Sequence, residues 1–347
     1  MEVYLNPEKY HNLYRCDYLN ETDWDQFKVQ RPNTGIVCLV LGIIYFVTYV
    51  PTLIVIRQPK FFQLSCFKLM FFLGCIDVIS IWINCLLTGY FLIVGTIFCL
   101  HPNVQFIAGT VAVACWCGQC LTCVILAINR CSDFWLPKVS LALFDGCKTY
   151  FWYTVVTIYM LYFFIFTRPV TLSSELIMWL YDPYLTVPEV SVDHHSKYAN
   201  PSHDLNNYIL IPILFVVYSF LAISVALKGR NSQNMQTWQL QVFRQAGLIC
   251  SLNFIPGFLF ILANIVAPPP WMVFACLVSW QLGNGGGGLI LLICNRTIRK
   301  RAVAMIMQTK TMSSVASIGP FQGHPTAGTP LPTVTPLEAR NYKIENK

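Results

Sequence analysis

Seven blocks of ~20 or more residues, nearly free of charge, follow one another along the chain. Blocks of that length read as membrane spans, because a helix satisfies every backbone N–H and C=O within its own segment once water is gone. They fall at residues 34–56, 68–94, 103–130, 148–167, 207–227, 242–267 and 271–294. Charged residues are 11% of the chain and hydrophobic residues 55%, whereas an ordinary soluble domain carries roughly a quarter charged. The expected fold is therefore all-α and integral to a membrane: a seven-transmembrane helix bundle. Residues 295–307, basic and amphipathic, are expected to lie on the membrane surface after the seventh span.

The formal net charge of +7 could suggest a nucleic-acid partner. Its distribution argues against one, since the basic residues stand at span ends and in the tail. Arg57, Lys60, Lys138, Lys148, Lys228, Arg230, Arg296, Arg299, Lys300 and Arg301 collect on one side of the seven spans; Lys9, Arg15, Lys28, Arg31, Arg168 and Lys197 are all that the other side holds. That asymmetry places the amino terminus outside and the carboxyl terminus in the cytoplasm, in a multi-pass plasma-membrane protein. Three regions follow: an extracellular segment 1–32, a transmembrane region 33–307, and a Ser/Thr/Pro-rich cytoplasmic tail 308–347 expected to be disordered. The sequon Asn20-Glu21-Thr22 lies in the first, where Asn20 can be glycosylated.

The third block is the axis of this reading. Residues 103–130 make about 40 Å of helix. Ala112, Trp116, Gln119, Cys123, Ala127 and Arg130 recur at three- and four-residue steps and so share a face. Asp77, a carboxylate inside the second span, is costly there unless it finds partners, and Gln119 and Asn284 are the natural ones. Such a cluster could hold a sodium ion or a proton, or could be a neutral hydrogen-bonded element of structure. Arg130 either closes the third helix as a functional cation or only sets topology. Pro212 and Pro256 permit bends in the fifth and sixth spans. The run Gly285-Gly286-Gly287-Gly288 is expected to interrupt the seventh.

Of fifteen cysteines, Cys16 and Cys99 are the two on the oxidising face, and a disulfide between them is expected. Cys115, Cys117, Cys120 and Cys123 loosely suggest a thiolate metal site, but they lie on different faces of an apolar helix and read better as small packing residues. Cys294 at the membrane exit is open to palmitoylation. His194-His195 reads as a solvated pair. There is no phosphate loop, no HExxH helix and no nucleophile elbow, so no enzyme, cofactor or metal is expected.

As a set, Tyr14-Arg15-Cys16, Leu64-Ser65-Cys66-Phe67-Lys68-Leu69-Met70, Leu73-Gly74-Cys75-Ile76-Asp77, Phe98-Cys99, Leu126-Ala127-Ile128-Asn129-Arg130-Cys131 and Tyr181-Asp182-Pro183 resemble the nematode serpentine chemoreceptors of class T, within the rhodopsin-like G-protein-coupled receptors. The resemblance covers roughly residues 10–307. It implies a chemosensory receptor for an external odorant or pheromone, coupled to a heterotrimeric G protein, in sensory-cell membrane such as that of the cilium. Asn129, Arg130 and Cys131 stand where the Asp/Glu-Arg-Tyr motif of the broader group would be, with Asn129 replacing the acid. Phe254-Ile255-Pro256 takes the place of Trp-x-Pro, and Gly287-Gly288-Leu289-Ile290-Leu291 that of Asn-Pro-x-x-Tyr. Trp116, Phe254, Phe258 and Gln281 are the ligand-binding candidates from helix spacing, in the outer half of the bundle, and aromatic lining suits a mostly apolar ligand. Asp133 is expected to hold Arg130 through an exposed, weak i,i+3 pair. Two other readings remain: an ion or solute transporter or channel built on Asp77 and Gln119, and a non-signalling trafficking partner of other receptors.

Overall fold

The computed structural model describes residues 1–190, 197–231, 237–266 and 268–316; His194 and His195 lie outside them. The chain divides into a unit Met1–Met305 and a second, Ile306–Lys347. Seven helices are long and apolar enough to cross a membrane: Pro32–Ile56, Ser65–Val94, Pro102–Trp135, Lys148–Phe166, Pro201–Ile223, Gln241–Ala263 and Pro270–Cys294. Four of them begin with proline at the first turn, where the missing N–H costs nothing. The helix Arg296–Ala316 follows the seventh span and carries on past the expected end at residue 307.

The third helix is the axis. Of its most apolar stretch 83% is buried, against 17% for the fourth helix. Nearly its whole circumference is packed, not one face only, which is why small Ala, Gly and Cys recur along it. It outruns the expected end at residue 130 and stops at Trp135, because Leu136 precedes Pro137 and is pushed out of the helical region. Around the rim, Ile36, Val40, Ile43, Val47 and Ile54 of the first helix stand exposed as a stripe, as a lipid-facing surface requires.

The second helix is not regular. Residues Ser65–Ile81 are α-helical, Trp82–Leu87 form a π turn, and Thr88–Val94 return to α. The wide turn is closed by the Thr88 hydroxyl, which donates to the Ile83 carbonyl at 2.8 Å.

The expected break in the seventh helix does not occur: Pro270–Cys294 runs without interruption. The glycines are a seat for the first helix. A Cβ at Gly285 would stand 2.0 Å from the Tyr45 ring, and one at Gly287 2.5 Å from the Tyr49 hydroxyl. Close packing compensates the roughly 1 kcal/mol of helix propensity that each glycine costs.

The loop after the fourth helix contains a hairpin. Strands β1 (Thr171–Ser173) and β2 (Met178–Leu180) pair antiparallel with Leu172 opposite Trp179. Ile177 in the turn adopts φ 57°, rare for a β-branched residue. The segment 1–32 is likewise folded, with helices Pro7–Tyr14 and Glu21–Trp24. Tyr14 and Trp24 pack into an aromatic cluster with Phe98, Phe106, Tyr184 and Tyr198. Below, "outer" is the end of the bundle carrying this segment.

Candidate functional site

Three sites line up along the third helix. At the outer end is a cavity of about 440 Å³. Its walls include three indoles, Trp116 of the third helix, Trp179 of β2 and Trp280 of the seventh helix, together with Tyr181 and Phe260. The fifth helix contributes His203, Asp204 and Asn207. Trp116 Nε1 donates to Asn207 Oδ1 at 2.8 Å, and Asn206 Nδ2 donates to the same oxygen at 3.0 Å. Tyr159 of the fourth helix donates to Asn206 Oδ1 at 3.0 Å, so four helix residues fix the orientation of one wall.

The hairpin roofs this cavity and is seated at several points. Trp179 Nε1 donates to the Thr88 hydroxyl at 2.9 Å, at the end of the π turn. Gln105, fully buried, accepts from Leu172 N–H at 2.8 Å and donates to the Ile97 carbonyl at 2.9 Å. Thr96 and Ser174 exchange backbone and side-chain bonds of 2.8–3.1 Å. A Cβ at Gly109 would overlap the Val170 carbonyl at 1.6 Å, so only glycine lets the loop lie on the third helix. Over the roof, Cys16 and Cys99 are joined by a disulfide. Tyr184 and Tyr198 donate to the carbonyls of Arg15 and Leu13, each at 2.7 Å. Burial pushes the Tyr10 hydroxyl up to about 12 and raises those of Tyr14, Tyr184 and Tyr198, so this cap carries neutral tyrosines. Asn20 is exposed on it and donates to Asp23 at 3.2 Å.

Of the four residues that helix spacing offers for a ligand, the structure brings Trp116 to the cavity. Phe254 packs below it, 5.3 Å from the Phe215 ring and 6.0 Å from that of Phe258. Phe258 is 51% exposed on the outside of the bundle, turned there by the sixth helix. Gln281 is buried but engaged elsewhere, donating to the Asn84 carbonyl at 2.8 Å. Trp280 holds the position expected of Gln281. In the seventh helix the difference is one residue, roughly 100° of helix, which exchanges cavity lining for backing. His203 and Asp204 were hidden because the fifth helix starts at Pro201 rather than at residue 207. Trp179 had no helical period to betray it.

Midway along the bundle, Asp77, Gln119 and Asn284 do come together. Gln119 Nε2 lies 2.8 Å from Asp77 Oδ1 and 3.1 Å from Ser80 Oγ, and it also meets Asn284 Oδ1. Tyr49 donates to Asp77 Oδ2 at 2.5 Å, a partner the sequence did not suggest. Asn284 Nδ2 donates to the Trp280 carbonyl at 2.7 Å, linking cluster and cavity wall by one helical turn. The Gln119 Oε1 is buried without a hydrogen-bond partner among the described residues.

At the inner end, Arg130 is 6% exposed. Its Nη2 stands 2.5 Å from Asp133 Oδ2 and 2.5 Å from Asn129 Oδ1. The guanidinium lies 5.9 Å from the ring of Phe243, in the sixth helix. The pair with Asp133 is present and partly exposed: Arg130 is buried, while the Asp133 side chain keeps 33% of its surface. Asp133 also accepts from Ser140, and Asn129 Nδ2 donates to Ser65 Oγ at 3.1 Å. Cys131 is half-buried, with Sγ 4.0 Å from the Val217 carbonyl. Cys115, Cys117, Cys120 and Cys123 are buried in the helix packing, and Cys294 is partly exposed.

Comparison with known proteins gives one answer. The family described as "Serpentine type 7TM GPCR chemoreceptor Srt" matches residues 3–315. Serpentine receptor class T-55 of Caenorhabditis elegans is 23% identical over 298 residues, covering 84% of this chain and 80% of that protein.

Proposed function

The chain belongs to the Srt family of seven-transmembrane serpentine chemoreceptors, and from that membership we propose that it binds an external small molecule in the outer cavity and signals to a heterotrimeric G protein through its inner end. The observation that carries the proposal is the alignment of cavity, polar cluster and arginine on one buried helix. Trp116, Gln119 and Arg130 lie on the same helix at offsets that repeat the helical turn. A ligand against Trp116 and Trp280 acts on Asn284 through the Trp280 carbonyl, and so on Gln119 and Asp77. Binding shifts a pre-existing equilibrium, and its free-energy difference between the two states sets the size of the response.

In this reading residues 1–32 form the extracellular cap, 33–307 the membrane receptor and 308–347 a cytoplasmic tail. The protein sits in the plasma membrane of a sensory cell, in its cilium where odour is met, with Asn20 glycosylated outside. Opening at the inner end separates Arg130 from Phe243 and frees the guanidinium for the G protein, with Asn129 and Cys131 beside it. The ligand-lining set is Trp116, Trp179, Trp280, His203, Asp204 and Asn207; Phe254 backs it.

The test is guanine-nucleotide exchange on a purified heterotrimer by the full chain in lipid nanodiscs. The expected result is exchange above that of empty discs, lost in Arg130→Ala with the thermal unfolding of the receptor unchanged. Folded receptor with no exchange on any heterotrimer, together with ion flux in liposomes, would move the reading to an ion path through Asp77.

A further inference from the structure

We propose that the inner halves of the first and second helices form a seat for one anionic phospholipid, with its headgroup phosphate on Arg57 and an acyl chain in the groove beside it. The groove has a volume of about 580 Å³. Val50, Leu53 and Ile54 of the first helix make one wall, and Phe71, Cys75 and Val78 of the second make the other. On each helix these residues recur at three- and four-residue steps, so two apolar rows run side by side. Ile54 is 50% exposed, which places the groove on the rim of the bundle, where the solvent is hydrocarbon. From Val50 to Arg57 is about 10 Å of helix, against roughly 15 Å of hydrocarbon in one leaflet. A chain lying there touches protein on two sides instead of one and gains dispersion contact accordingly.

The charge at the end of the groove selects the headgroup. Arg57 and Gln58 line its inner end. Arg57 is exposed, and its guanidinium lies over the Phe62 ring at 4.3 Å. A guanidinium on a ring face keeps its N–H edge for an anion, and that edge matches two phosphate oxygens. Lys60, also exposed, stands three residues further on. Gln58 accepts from Arg301 of the surface helix, whose guanidinium is 5.6 Å from the Phe61 ring. That contact brings a second basic segment to the same corner. Residues 26–76 and 295–337 contain no Asp or Glu at all. Among the described residues neither Arg57 nor Lys60 pairs with a carboxylate. A zwitterionic headgroup carries its own cation into this corner, whereas an anionic one does not. Basic residues that only set topology need no groove, and here the guanidinium closes one.

The experiment titrates the full chain in detergent with dioleoyl phosphatidylserine and dioleoyl phosphatidylcholine, counting bound lipid by native mass spectrometry. The expected result is a first phosphatidylserine bound at least about fivefold tighter than the first phosphatidylcholine, with the larger rise in thermal unfolding temperature. Arg57→Gln is expected to erase that preference. Lys138→Gln, which removes an inner lysine outside the groove, should leave it whole. Ile54→Trp, at an exposed wall position, fills the groove and should weaken the first phosphatidylserine by a similar factor while the protein stays folded. Equal binding of the two lipids overturns the proposal, as does a preference that survives Arg57→Gln. A preference that Lys138→Gln lowers as much as Arg57→Gln also overturns it, since charge spread over the inner face would then suffice. Phosphatidylserine binding unchanged in Ile54→Trp puts the lipid outside the groove, and the proposal falls.

Discussion

At the outer mouth of the bundle a disulfide, a hairpin, an aromatic cluster and the buried Gln105 all fasten the same small area, and several of these ties reach across more than sixty residues of sequence. At the inner mouth the contacts divide into two groups. The second, third and fourth helices are tied to one another: Lys68 donates to the Gly146 carbonyl at 2.6 Å, Tyr153 to the Lys68 carbonyl at 2.5 Å, and Asn129 to Ser65. Towards the sixth helix the described residues offer lighter links: Arg130 and Phe134 against the Phe243 ring, Tyr218 donating to Cys250 Sγ at 2.6 Å, Cys250 Sγ 3.9 Å from the Cys123 carbonyl, and Gln241 to the Cys294 carbonyl. The difference teaches where the molecule holds its shape and where it can change. A braced pocket recognises a ligand without paying to assemble itself, and a lightly linked helix can move when that ligand arrives.

Cutting the outer brace should have the largest effect. The Cys16–Cys99 bond closes a loop with a sequence separation of 83, which on loop-entropy grounds contributes about 4–5 kcal/mol. Cys99→Ser is expected to abolish most surface delivery, read by labelling an extracellular tag; surface levels equal to the parent would mean the cap does not depend on it. Gln105→Ala comes next. It strands the Leu172 N–H that it satisfies and removes two further bonds, a cost of about 2–4 kcal/mol. Ligand affinity should fall far more than the maximal response of saturated receptor, and an equal fall in both would erase the contrast between the two mouths.

Gly285→Ala places a methyl group inside the Tyr45 ring and should cost about 1–3 kcal/mol in a thermal melt. Tyr45→Leu added to it should recover much of that loss, and no recovery would mean the glycine serves some other purpose. At the inner mouth Asp133→Asn should weaken the hold on Arg130 by about 1–2 kcal/mol and raise ligand-free signalling roughly tenfold. Because the Asp133 side chain is 33% exposed, that change should shrink in part as salt is added; indifference to salt would show a pair closed off from water. The smallest effect belongs to Phe258→Ala. With its ring on the rim of the bundle, ligand affinity should stay within about 0.5 kcal/mol. A larger loss would return Phe258 to the pocket and redraw the sixth helix.

Much of the architecture could be read from residues alone because membrane helices announce themselves by length and lack of charge. Asp77 and its amide partners were legible for the same reason: an intramembrane carboxylate has few choices. The Cys16–Cys99 bond followed from counting thiols on one side of the membrane. What stayed hidden was the part built on non-helical geometry. The hairpin carrying Trp179 has two strands of three residues each, too short for an alternating pattern. The tyrosines of the cap look polar and scattered in a charged segment until their rings meet in space. The glycine run misled because propensity describes an isolated helix, and here a neighbouring helix lies in the groove that the glycines leave. Gln281 and Trp280 exchanged places because an error of one residue turns a helix face away from its target.

The π turn at Trp82–Leu87 gives the second helix two phases. Below it, the register that points Asp77 at Gln119 is fixed by the centre of the bundle; above it, Thr88 meets Trp179 in a register of its own. Deleting one residue within the turn would regularise the helix and leave the faces above and below it close to where they stand, because the wide turn takes up one residue of sequence without passing its roughly 100° on to the next turn. Single-codon changes of length at this turn are thus ones a spanning helix can tolerate, altering the ground under Trp179 without turning Asp77 away from Gln119.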